Sequence, residues 1–171
     1  MATSTQADEA PAPGDLEILA YALTLEYLAV DFYDRLVSED VLEDADQDTA
    51  KGIAEHEAEH VDSLEDALEE LGGRRPARPR PDFGVLLSGE PEAILVRAAD
   101  IENLVAAAYL GQAARIQGRE VLASALAIHA VEARHAAVLN RRVGRSFVPD
   151  GALAAALSFD QVQARLKVFL G

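Results

Sequence analysis

The chain has no cysteine, which removes disulfides, thiol nucleophiles, iron–sulfur clusters and Cys-based zinc sites together. Long apolar stretches are also missing. The longest uninterrupted run is seven residues, Leu104 to Leu110, too short to span a membrane. Positive charge is scarce: 30 acidic residues stand against 15 basic ones, and lysine occurs only at positions 51 and 167. Phosphate recognition requires concentrated Lys and Arg, so the net charge of −15 argues against nucleic acid as a partner. The one basic cluster, Arg74, Arg75, Arg78 and Arg80, lies in a proline-rich stretch with no aromatic residue interleaved. The first residues, MATSTQADEAPAPGD, carry neither the basic start nor the apolar segment of an export signal, and the expected address is cytoplasmic.

What is present is helical. The 171 residues, half of them hydrophobic, suffice for one domain with a core. Ala and Leu dominate, and no segment alternates apolar and polar as a half-buried strand does. Residues 1–14 read as a flexible leader, 15–145 as a four-helix bundle, and 146–171 as a tail with a short helix. Within the bundle the periodicity predicts helices over 15–38, with Asp15 as N-cap, and over 48–71. Two more follow over 92–117 and 119–143. Four prolines and four glycines between 72 and 91 forbid a long helix there, and Ser158-x-x-Gln161 is a capping box for the tail helix. Short links inside each pair and a long crossover between pairs predict an all-α fold: two antiparallel hairpins forming one bundle.

Each apolar face contains a glutamate. Leu19, Leu23, Val30 and Val37 share a face with Glu26, and Ile53, Val61, Leu64 and Leu68 share one with Glu57. Leu95, Val105, Ala106 and Ala113 accompany Glu102; Ile128, Leu139 and Val143 accompany Glu132. An unpaired buried carboxylate costs roughly several kcal/mol, so four in one bundle demand compensation. Two histidines join them. Glu57-Ala-Glu-His60 and Glu132-Ala-Arg-His135 are both Glu-x-x-His, a spacing that stacks the two side chains on one helix face. Each hairpin thus supplies Glu and then Glu-x-x-His, 31 residues apart in the first and 30 in the second. This internal repeat predicts a pseudo-two-fold axis. Four carboxylates and two imidazoles suit two divalent ions, iron or manganese rather than magnesium or calcium. In this reading Glu26, Glu57, His60, Glu102, Glu132 and His135 are the metal ligands, and the glutamates of the two Glu-x-x-His motifs bridge the ions.

The segments LTLEYLAVDFY, IAEHEAEHVDSL and VEARHAAVL, with a Gly- and Pro-rich crossover containing DFG, resemble the ferritin-like di-iron carboxylate superfamily. They look most like its family that includes desiccation-associated proteins, over roughly residues 15–145. The resemblance implies the same six ligands and a role in iron or oxidative-stress handling. Without cysteine the chain lacks a rubredoxin module, so it is not expected to be a complete rubrerythrin with its own electron donor.

Around the six, Tyr33 and Tyr109 each follow their glutamate, Glu26 or Glu102, by seven residues, two turns along the same face. Each is expected to hydrogen-bond a ligand carboxylate of the opposite hairpin and is a candidate electron carrier. His129 shares the inward face as either a donor to the site or a satisfied core histidine, and His56 sits one position off the Glu57 face. Tyr21, Leu25 and Phe32 exceed the core stripe of the first helix and point to a homodimer face or a larger homo-oligomer. The leading functional reading is an oxidoreductase: a di-iron centre reacting with oxygen or hydrogen peroxide, as ferroxidase, peroxidase or both. The alternatives are a non-catalytic metal-binding or stress-associated structural protein and a di-manganese catalase.

Overall fold

The computed structural model describes residues 13–170. Five helices make up its regular structure: α1 (Pro13–Glu39), α2 (Asp44–Glu70), α3 (Pro91–Ala113), α4 (Arg119–Arg142) and α5 (Phe159–Leu170). No strand occurs among the described residues. The chain packs α1 along α2 and α3 along α4, and the two hairpins meet through α1 against α3 and α2 against α4. The expected leader falls mostly outside the described residues; Pro13 and Gly14 already belong to α1.

Three boundaries differ from the sequence expectation, each for an identifiable reason. First, α2 begins at Asp44 rather than 48. The segment ahead of it is polar and shows no apolar period, yet Asp44 and Asp46 complement the helix dipole in its first turn. Asp46 is also held from the other hairpin by a bidentate pair, Arg142 Nε to Oδ1 at 2.6 Å and an Arg142 terminal nitrogen to Oδ2 at 2.7 Å. Second, α3 stops at Ala113, four residues early, and 114–118 form the link to α4. Third, Asp15 does not cap α1, because α1 starts two residues before it. Its buried carboxylate instead accepts the backbone N–H of Gln117 at 2.9 Å and of Gly118 at 2.7 Å, holding the α3–α4 link. At the tail the capping box forms as expected: Ser158 N donates to Gln161 Oε1 at 2.8 Å, and Gln161 N donates to Ser158 Oγ at 3.3 Å.

The apolar surface beyond the core stripe of α1 is covered from within the chain, not left as the dimer face expected for Tyr21, Leu25 and Phe32. Phe32 is fully buried against Phe83 of the crossover, their ring centroids 5.6 Å apart. Leu25 clusters with Leu104, Ala108, Leu157 and Val162, and Tyr21 meets the ring of Phe159 at 5.0 Å. The tail therefore caps the bundle. Its approach is close enough that Leu157 N donates to Ala107 O at 3.0 Å, and a Cβ at Gly111 would stand 1.8 Å from Leu157 O. Only glycine fits there. The side chains of Val168 and Phe169 lie outside the described residues.

Two of the four arginines in the basic cluster of the crossover are paired with neighbouring acids. Arg75 pairs with Glu65 and Glu69, while Arg78 pairs with Asp31 and lies 5.0 Å over the Tyr27 ring. Despite the absence of a long apolar run, Ala-rich α4 is long and apolar enough by composition to cross a membrane. Its buried Glu132 and His135 face the bundle interior, and an ionisable pair at that depth is costly in lipid.

Candidate metal centre

The helices converge on one acidic core. Glu26 comes from α1, Glu57 and His60 from α2, Glu102 from α3, and Glu132 and His135 from α4. All four glutamates are 0 % exposed, and the histidines, at 8 % and 7 %, are nearly so. The Glu-x-x-His spacing works as the helix geometry requires, aiming both side chains of each motif inward. His60 Nδ1 lies 2.9 Å from Glu132, 3.5 Å from Glu57 and 3.7 Å from Glu26. His135 Nδ1 lies 3.1 Å from Glu57 and 3.2 Å from Glu102.

These approaches are short, but they are not hydrogen bonds. Seven carboxylate oxygens of the four glutamates and both Nδ1 atoms have no hydrogen-bond partner among the described residues. The net stability of a domain is only about 5–15 kcal/mol, so it cannot carry four bare buried anions at several kcal/mol each. Protons or cations must take up the charge. Burial, then the charge of Glu57, pushes the Glu26 carboxyl up to about 8, and burial likewise raises Glu132 well above the carboxylate range. Burial alone would lower His60, but Glu132, Glu26 and Glu57 override it and push the imidazole up to about 12. Glu102 and Glu57 do the same for His135, to about 9.

The donor atoms fall into two overlapping groups. One is Glu26, Glu57, His60 and Glu132; the other is Glu57, Glu102, Glu132 and His135, with one donor atom of each residue within 4.8 Å of the rest. Glu57 and Glu132, the glutamates of the two Glu-x-x-His motifs, belong to both. Mixed oxygen and nitrogen donors with unsatisfied lone pairs fit divalent transition metals.

The tyrosines are less symmetrical than their spacing. Tyr109 donates to Glu26 Oε1 of the opposite hairpin at 2.5 Å, as expected. Buried Tyr33 feels the charge of Glu102, which adds to burial in raising its phenol pKa, yet its hydroxyl completes no hydrogen bond. His129 is half-buried rather than part of the core, and its Nδ1–H donates to Ala106 O at 3.0 Å. His56 stands one position off the Glu57 face of α2. It is exposed, but its Nδ1 lies 2.9 Å from Nε2 of His135. The only sequence signal for that contact was its place one residue before Glu57.

The sequence matches the family described as ferritin-like domain over residues 14–145, and the chain belongs to that family. Among solved structures it is similar to a hypothetical protein of Methanococcus jannaschii, with a TM-score of 0.70 and 18 % identity over 98 % of this chain and 100 % of that one. A conserved hypothetical protein of Mycobacterium tuberculosis superposes with a TM-score of 0.67 and 16 % identity over 75 % of this chain and 96 % of that one. At these identities the likeness is one of fold. No curated protein matches the chain.

Proposed function

We propose that the chain holds two metal ions, iron in preference to manganese, through Glu26, Glu57, His60, Glu102, Glu132 and His135. The observation that carries this reading is the pair of overlapping donor groups sharing Glu57 and Glu132. Two divalent ions would bring four positive charges to four buried carboxylates, which answers the desolvation cost that the fold otherwise leaves uncompensated. Bound there, iron supplies the redox chemistry toward an O–O bond, and the activity we propose is oxidation of ferrous iron, removal of hydrogen peroxide, or both.

The chain's own contribution is positional. Glu26 is held from behind by the Tyr109 hydroxyl, which keeps one of its oxygens engaged and leaves Oε2 free toward His60. The apolar side chains around the cluster, among them Leu23, Val30, Val61, Val105 and Ile128, limit water at the site. Cytoplasmic location and homo-oligomerisation remain part of the proposal, the latter without the α1 face.

The test is turnover per iron. Metal-free protein loaded anaerobically with ferrous iron should consume oxygen or hydrogen peroxide in proportion to the iron bound. Tight binding with neither consumed would make the protein a metal-sequestering or structural one. Manganese as the metal in protein purified without chelator, with peroxide disproportionated, would replace iron chemistry by that of a catalase.

A further inference from the structure

The two ring nitrogens of His135 have separate neighbours. Nδ1 faces Glu57 and Glu102, while Nε2 meets His56 Nδ1 at 2.9 Å. The His56 and His135 rings are parallel to within 5°, with centroids 5.2 Å apart. That separation is the N···N contact plus the two ring radii. The rings therefore lie edge to edge in a common plane, the geometry of an in-line N–H···N hydrogen bond rather than a face-to-face stack.

Such a bond needs one N–H and one lone pair. If Nδ1 of His135 is to bind a cation it must offer its lone pair, so the ring proton sits on Nε2 and donates to His56 Nδ1. The remaining proton of a neutral His56 is then on its own Nε2. The other half of the bundle has no counterpart. The internal repeat that relates Glu57 to Glu132 relates His56 to Val131, which has no acceptor in its side chain. His60 finds no comparable partner for its second nitrogen among the described residues.

We propose that His56 is a positioning residue: by accepting the Nε2–H of His135 it fixes that ring's tautomer and angle, and it makes the ion held by Glu57, Glu102, Glu132 and His135 the tighter of the two. This rests on the metal reading above. A ligating imidazole whose second nitrogen is hydrogen-bonded keeps its orientation and gains basicity, and removing such a partner typically weakens metal binding about 10–100-fold. The asymmetry is thus encoded by one residue pair, His56 in one half and Val131 in the other.

The experiment is a Co²⁺ titration of the metal-free full-length chain, followed by visible absorption of the bound ion, for wild type, His56→Ala and His56→Asn. Wild type should bind in two steps of unequal affinity. His56→Ala should weaken the tighter step about 10–100-fold and leave the weaker within about threefold, with an altered ligand-field spectrum only for the first ion. His56→Asn, whose Oδ1 can stand near the place of Nδ1, should restore most of the affinity and the spectrum. Because His56 is exposed, the metal-free variants should keep the wild-type Tm. Unchanged steps in His56→Ala would overturn the proposal. So would an equal loss in both steps, or failure of Asn to rescue, since either means general loosening of α2. A wild-type chain that binds no Co²⁺ would remove the metal reading itself, a result distinct from all of these.

Discussion

The two hairpins repeat one design and finish it differently. In both, a glutamate on the leading helix and a Glu-x-x-His on the returning helix enter the core, and in both a tyrosine follows the first glutamate by seven residues. The surroundings diverge. Tyr109 of the second hairpin completes a hydrogen bond to Glu26, whereas Tyr33 of the first completes none. His135 is tied to His56, whereas His60 has Val131 at the equivalent place. On the outside, α3 carries Gly111 beneath the tail where α1 carries the exposed Arg35. Inward side chains keep the repeat because both ions would need the same donors; outward ones are free to specialise. The lesson is that the repeat predicts which polar side chains converge in the core and says little about what supports them.

The largest expected effect tests the shared residues against the unshared ones. Glu57→Gln should abolish binding of both ions, because Glu57 belongs to both donor groups, whereas Glu26→Gln should spare the ion beside His135. Metal content of each variant after anaerobic ferrous loading decides it. The metal-free Glu57→Gln protein should melt no lower than wild type, since the amide replaces a buried carboxylate that has no partner.

The outer faces come next. Gly111→Ala forces a Cβ into the backbone of Leu157 and should release the tail, costing about 2–4 kcal/mol through exposure of Leu157 and Val162. Urea unfolding and faster proteolysis within α5 would report it; Arg35→Ala at the equivalent position of α1 should change neither. Asp15→Ala should cost about 1–3 kcal/mol, because it strips two backbone N–H groups of the α3–α4 link of their acceptor. Among the described residues the first hairpin has no such tie, since Pro91 occupies the corresponding place on α3. The smallest effect separates the tyrosines. Tyr109→Phe should lower stability of the metal-free protein by about 1 kcal/mol and Tyr33→Phe by about none, read from urea midpoints.

The helices and the convergence of six polar side chains were legible because periodicity puts Glu26, Glu57, Glu102 and Glu132 on apolar stripes, and the Glu-x-x-His spacing is a helix-face rule. What escaped depends on residues far apart in the chain. The start of α2 is hidden in an acidic segment whose Asp46 is satisfied by Arg142, 96 residues away. Residues 114–117 look helical, so the apolar period runs past the end of α3, while the link is fixed by Asp15, which stands 102 residues before Gln117 in the chain. Tyr21, Leu25 and Phe32 read as surplus apolar surface, since nothing local announces that Phe83, Phe159 and Val162 return to cover them. His56 lies one position off the ligand face of its own helix, and its partner stands on another helix 79 residues on.

The most direct measurement of the central claim is an anaerobic ferrous titration of the metal-free chain, with bound iron counted by elemental analysis after removal of excess. The two overlapping donor groups predict saturation at two irons per chain. Saturation at one iron, or no retained iron at all, would contradict a shared two-ion centre.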